Sequence, residues 1–193
     1  MSKIFFVTHP EVVINKDVPI DKWALSEKGK NRFKLLLKQP WLTSIDIVYC
    51  SLEQKALDGA EIVCSFLKIP VNSIDCIGEF DRSSTGYQPK DIFMGNVKRF
   101  FASPNISILG WETAQHAQDR IVKSCDGIIK ANQGKNILIV AHGGVGSLYL
   151  AHLLKEPINI KWNQPETNGG NYFVVDTENC RVLQAWQPID SIL

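Results

Sequence analysis

The chain has 193 residues, 21 lysine plus arginine against 20 aspartate plus glutamate, and a formal net charge of +1. That balance gives no electrostatic footing for nucleic acid or an anionic membrane surface, and the length suffices for one domain that buries roughly 70% of its unfolded surface. Cys50, Cys64, Cys76, Cys125 and Cys180 are odd in number and hold no C-x-x-C pair, which argues against a disulfide framework or a zinc site and for a reducing interior.

Ile4, Phe5, Phe6 and Val7 form a continuous apolar run, which predicts a strand buried on both faces, and Thr8, His9 and Pro10 stop it with a loop leaving its carboxyl end. Residues 10–25 carry Pro10, Asn15, Asp17, Pro19 and Asp21 and predict a loop long enough to cover a site. Ser26 is placed to cap a helix with Phe33, Leu36 and Leu37 at helical spacing, ending near Pro40. Ile45, Ile47, Val48 and Tyr49 predict a second strand, with Cys50 and Ser51 as the turn after it. From Leu52 a helix with Ala56, Ala60, Val63 and Leu67 on one face runs to Lys68, with Pro70 as its stop. Residues 74–77 read as a third strand, 78–95 as a polar excursion over the sheet, and 96–101 as one or two helical turns. A longer helix from Trp111 or Glu112 shows Ala114, Ala117, Ile121 and Ile128 as its stripe and ends before Gly134.

Residues 137–141 form the clearest buried strand, running into His142, Gly143 and Gly144. A helix with Leu148, Leu150, Leu153 and Leu154 follows. Residues 172–175 and 181–186 then close the chain as a hairpin turning at 176–179. Strands alternate with helices until this hairpin. The predicted fold is therefore α/β, a three-layer α/β/α sandwich with a mostly parallel central sheet and a C-terminal β-hairpin.

His9 and His142 each stand just past an apolar strand. In a parallel sheet such strand ends share one edge, so both imidazoles are expected in one cleft. Gly143 and Gly144 leave backbone N–H groups at the start of the next helix, where donors and the helix dipole favour phosphate; the plainer reading is a glycine pair that lets strand and helix pack closely.

The order VTHPEV, LSEKG, YCSLEQKALDGAEIV, GEFDRSSTG and VAHGGVGSL resembles the histidine phosphatase superfamily, in its phosphoglycerate-mutase-like branch, from Lys3 to about Leu154. The usual first motif there is Arg-His-Gly, the second is Ser-Ser followed by an arginine at a helix start, and the last is His-Gly. The resemblance implies one domain over residues 1–193 and a metal-independent, cofactor-free phosphomonoester phosphatase. It makes His9 the nucleophile, His142 its partner over the phosphate, and Glu79 the acid that protonates the leaving oxygen. The residue types suit these roles: a neutral imidazole attacks phosphorus in line, and the phosphohistidine is later hydrolysed.

Two positions depart from the pattern. Thr8 stands where the resemblance expects an arginine, and Lys55 where it expects the second. Losing one guanidinium to a neutral donor forfeits roughly 2 to 4 kcal/mol of transition-state stabilisation, about 30- to 1000-fold in rate. The expectation is thus a weakened phosphatase, and the alternative is a catalytically impaired member that binds a phosphorylated ligand or protein partner. Thr8, Lys55, Ser51, Arg82 and Gly143 are the candidate phosphate contacts, with Arg82 as a compensating cation if its loop folds over the cleft. Ser51 also suits a helix cap and Glu112 a first helical turn. His116 and His152 read as structural or surface residues.

An α/β-hydrolase is disfavoured because no G-x-S-x-G elbow exists, and a dinucleotide site because Tyr149 takes the third glycine position. A mutase would need a basic cluster that is lacking. Trp111, Tyr87 and Phe80 are expected to give the pocket an apolar character. The ligand is expected to be a small phosphorylated molecule or a phosphoprotein. The amino-terminal apolar run is too short for a signal peptide and no run approaches a membrane span, so a cytoplasmic location is expected. Nothing in the pattern specifies an oligomeric state.

Overall fold

The computed structural model describes residues 2–191. Strand β1, Lys3–Thr8, is buried at every position but the first. Ile4 and Phe6 face one layer of helices while Phe5 and Val7 face the other, so the apolar run seen in the sequence is a strand covered on both sides. Strands β2 (Ile47–Ser51), β3 (Val71–Ile74), β4 (Ile137–Ala141), β5 (Asn171–Asp176) and β6 (Arg181–Pro188) complete one sheet of order β3-β2-β4-β1-β5-β6. β3, β2, β4 and β1 are parallel, while β5 and β6 join antiparallel.

Helices α1 (Glu27–Phe33) and α2 (Gln54–Leu67) cover one face, where Phe33, Ala56, Ala60 and Val63 meet Phe5 and Val7. Helix α3 (Lys90–Ala102) builds a separate cluster with Phe100 and Phe101 against Phe80 and Trp111. On the other face of the sheet, α4 (Ala114–Ala131) and α5 (Gly143–Leu153) supply Ile121, Cys125, Ile128 and Tyr149 against Ile4 and Phe6. The three-layer reading of the sequence holds.

Several boundaries differ, each for a physical reason. Cys50 and Ser51 extend β2 rather than turning, because the sheet continues past Tyr49 and both side chains are fully buried there. Pairing with β2 sets the third strand at Val71–Ile74, three residues earlier than its apolar residues suggested. Asp75–Ile77 then coils into a 3-10 turn that buries Ile77. As an edge strand β3 is only half buried and lacks an apolar signature. Helix α3 starts directly after Pro89 and is 13 residues long; its first turns mix Lys90, Asp91 and Gly95 with an exposed Ile92 and show no clean apolar stripe. Thr113, not Trp111 or Glu112, caps α4 by accepting the His116 N–H.

Candidate active site

The register between β1 and β4 pairs Thr8 with Ala141, so His9 and His142 leave the sheet side by side, and the His9 N–H donates to the Ala141 carbonyl at 3.2 Å. Their rings meet edge to face with centroids 5.2 Å apart. Cys50 pairs with Val140, which brings Ser51 to the same edge from β2. His9 is partly exposed at this edge, and its Nδ1 lies 2.9 Å from the Pro10 carbonyl. A carbonyl only accepts, so Nδ1 carries the proton and Nε2 keeps its lone pair. Burial pushes the His9 imidazole down to about 4, helped by the Lys55 and Arg82 charges and opposed by Pro10 and Glu53. The ring is therefore neutral at pH 7.

His142 is fully buried. Its Nε2 lies 2.7 Å from Ser51 Oγ and 3.2 Å from Glu53 Oε1, and its Nδ1 has no partner among the described residues. Burial pushes it to about 3, against the pull of Glu53. Glu53 itself would be raised by burial, but its coupling to His142, the Lys55 charge and its hydrogen bonds hold it at about 2. Its Oε1 also accepts the Glu79 N–H at 2.7 Å.

Glu79 lies over the start of α5, where its carboxylate accepts the Gly144 and Val145 N–H groups, both at 2.9 Å. The helix start that the sequence offered to phosphate thus holds a carboxylate at two of its donors, and the Gly146 N–H bonds the His142 carbonyl; among the described residues only the Gly143 N–H, which has no intrahelical acceptor, is left. Burial raises Glu79, and the neighbouring Glu53 charge adds to the rise against those backbone donors. A carboxyl raised in this way is suited to proton donation.

The expected phosphate contacts separate into three kinds. Lys55 is buried and spends its ammonium on the Glu53 carboxylate and on the Ile20 carbonyl at 2.9 Å, so the 10–25 loop does reach the site. Thr8 is fully buried; its hydroxyl donates to Gln164 Oε1 at 2.8 Å and accepts the Asn171 N–H at 3.0 Å. Arg82 remains available. Its guanidinium stacks over Phe93 at 4.5 Å, acts electrostatically on His9, Glu79 and Glu53, and makes no hydrogen bond among the described residues. Ser51 bonds His142 and also accepts the Glu53 N–H at 3.0 Å; it does not cap α2, whose N-cap is Glu53 with no side-chain cap bond, because its hydroxyl is held at the strand edge, short of the first helical N–H groups.

The apolar pocket wall is not as expected. Trp111 and Phe80 are 2% and 4% exposed and belong to the core around Phe100, with the Trp111 indole donating to Thr85 Oγ1. Tyr87 packs instead beside Trp23 and under Lys16. Glu112 stays outside the site, paired twice to Arg120 and once to the exposed His116. His152 is exposed.

Three participants escaped the sequence reading: Glu53, Gln164 and Arg120. Arg120 donates to the carbonyls of Cys76, Gly78 and Glu79 and so fixes the segment carrying Glu79. A carboxylate between Ser51 and Lys55 was the available signal for Glu53. Gln164 lies in a polar connection where nothing marks one residue over its neighbours. Among the described residues no group of histidine, cysteine and carboxylate side chains is arranged to hold a metal ion. No described helix is long and apolar enough to cross a membrane.

Comparison with known proteins agrees with this fold. A family profile described as Histidine phosphatase superfamily (branch 1) matches residues 4–188. Among solved structures, YhfR of Bacillus stearothermophilus is similar at a TM-score of 0.82 and 20% identity, over 100% of this chain and 98% of that one. The alpha-ribazole phosphatase of Shigella flexneri gives 0.74 and 22%, over 98% and 96%. A phosphoserine phosphatase of Entamoeba histolytica, in complex with 3-phosphoglyceric acid, gives 0.76 and 16%, over 95% of each chain. At these identities the likeness establishes the fold. No curated protein matches the chain.

Proposed function

This chain belongs to the histidine phosphatase superfamily, and from that premise we propose that it hydrolyses phosphomonoesters through a phosphohistidine on His9. The observation that carries the reading is the fixed tautomer of His9: Nδ1–H is held by Pro10, and Nε2 presents a lone pair beside His142. In the first step Nε2 attacks phosphorus, the ester P–O bond breaks, and Glu79 gives its proton to the departing oxygen. In the second, water attacks the phosphohistidine, its proton returns to Glu79, and phosphate leaves with Nε2 restored. Nucleophile and acid both come from the chain, so the step requires no metal or cofactor. His142, backed by the ionised Glu53, takes up positive charge as the anion arrives.

The two arginines that the family pattern leads one to expect are replaced here by Thr8 and Lys55, and both replacements are engaged elsewhere. Arg82 is then the cation left to meet the phosphoryl oxygens, and turnover is expected to be slow. The substrate is a small phosphomonoester, in line with the small phosphorylated molecules named for the fold neighbours. A steady-state assay on an aryl phosphate tests the reading: hydrolysis should be detectable and abolished in His9→Ala, and unchanged hydrolysis in that variant would refute it.

One observation favours a second reading. With Lys55 paired to Glu53, Arg82 is the cation left for a phosphate, enough to hold the anion but short of the clamp that phosphoryl transfer calls for, which suits a member that binds phosphorylated ligands or a phosphoprotein without turning them over. Phosphate binding without any aryl phosphate hydrolysis would select it.

A further inference from the structure

The Thr8 hydroxyl does not face a ligand, yet its hydrogen bonds determine which way another side chain must point. The Gly169 carbonyl can only accept, so the Asn171 amide that lies 3.2 Å from it is Nδ2, a donor. The same Nδ2 is 3.1 Å from a terminal atom of Gln164, which must therefore be the acceptor Oε1. Thr8 agrees: it accepts the Asn171 backbone N–H, and its one proton has Gln164 Oε1 at 2.8 Å, nearer than the Asn171 carbonyl at 3.3 Å. The oxygen of Gln164 is thus doubly engaged on the buried side, and Nε2 turns the other way with no hydrogen bond among the described residues.

Nε2 lies against Gly143, one residue past His142. A Cβ at position 143 would stand 2.0 Å from Nε2 and 2.7 Å from Cδ, so residue 143 must be glycine for the amide to rest there. The unpaired Nε2 and the Gly143 N–H, which has no intrahelical acceptor, are thereby brought together at the strand ends that carry the two histidines.

We infer that Gln164 is a substrate-contacting residue, a neutral donor that Thr8 and Asn171 aim at the phosphoryl oxygens beside Gly143. This rests on the phosphatase reading above. A preoriented neutral donor strengthens as charge develops on oxygen and costs no reorganisation, which partly offsets a missing guanidinium. Thr8 then has a positive role of its own, because it orients the group that touches the ligand.

Binding of inorganic phosphate, measured by calorimetry on the wild type, Gln164→Glu and Gln164→Met, tests the inference. Gln164→Glu keeps an acceptor for Thr8 and Asn171 but turns a carboxylate oxygen toward the anion, so Kd should rise at least tenfold. Gln164→Met removes the donor and should weaken binding about fivefold or more. The ratio of wild-type to Gln164→Glu affinity should shrink as pH falls from 7.5 to 5, a dependence that a merely structural role would not produce. If Gln164→Met fails to fold, Gln164→Glu decides alone. Wild-type affinity in the Gln164→Glu variant at pH 7.5 would overturn the inference while leaving the phosphatase reading intact. A wild type that neither binds phosphate nor hydrolyses aryl phosphate would overturn both.

Discussion

Lys55 sits between the Glu53 carboxylate and the Ile20 carbonyl, and a lysine held this way offers an incoming anion little net charge. Removing one negative charge should therefore improve anion binding. Glu53→Gln keeps an acceptor for the Glu79 N–H while releasing the ammonium, and phosphate affinity by calorimetry should increase, by about tenfold; a loss of affinity would show that His142 needs Glu53 more than Lys55 needs freeing. Arg82 is the converse case. Arg82→Met keeps the packing on Phe93 but removes the charge, and kcat/KM for an aryl phosphate should drop roughly 10- to 100-fold, the worth of about 1.5 to 3 kcal/mol for a charge-assisted hydrogen bond. At this scale His9 and His142 were legible because each follows an apolar strand. Glu53 and Gln164 were not, because what matters about them is the direction of a hydrogen bond, which no spacing encodes.

Helix α4 acts on the site without touching it. Arg120, braced by Glu112, donates to three carbonyls of the 76–79 segment and so holds Glu79 over α5. Arg120→Met should lower kcat several-fold with little change in KM, because the proton donor loses its position while the phosphate contacts stay; an equal rise in KM would mean the whole pocket had collapsed. The elements that sequence reading placed well are β1 and β4, continuous apolar strands buried on both faces, and α2, whose one buried face carries the helical period. Those it misplaced lie where tertiary context overrides pattern. β3 is a half-exposed edge set by its pairing with β2, and the amino-terminal turns of α3 leave Ile92 exposed and so lack a regular buried stripe. Trp111 is a further case: it was expected to give the pocket an apolar wall, but residues of α3 and α4 close over it as core.

The molecule as a whole stores its site in a protonation state that acid undoes. His9 and His142 are neutral when folded, at about 4 and 3, and titrate near 6.5 when unfolded, so the unfolded state takes up more protons below pH 6.5. Their contribution is complete above 6.5 and is lost as pH falls toward 4 and then 3. Glu53, lowered to about 2, acts in the same direction below 4.5, and the raised Glu79 opposes it. Calorimetric Tm should therefore fall steadily from pH 7 to pH 4, and less steeply in His142→Asn; parallel curves would contradict this assignment. Covalent chemistry at His9 Nε2 is reached most directly by trapping. Enzyme denatured in alkali during turnover of an aryl phosphate, where nitrogen–phosphorus bonds survive, should carry phosphate on the His9 peptide by mass spectrometry. Turnover without any label on His9 would contradict the account.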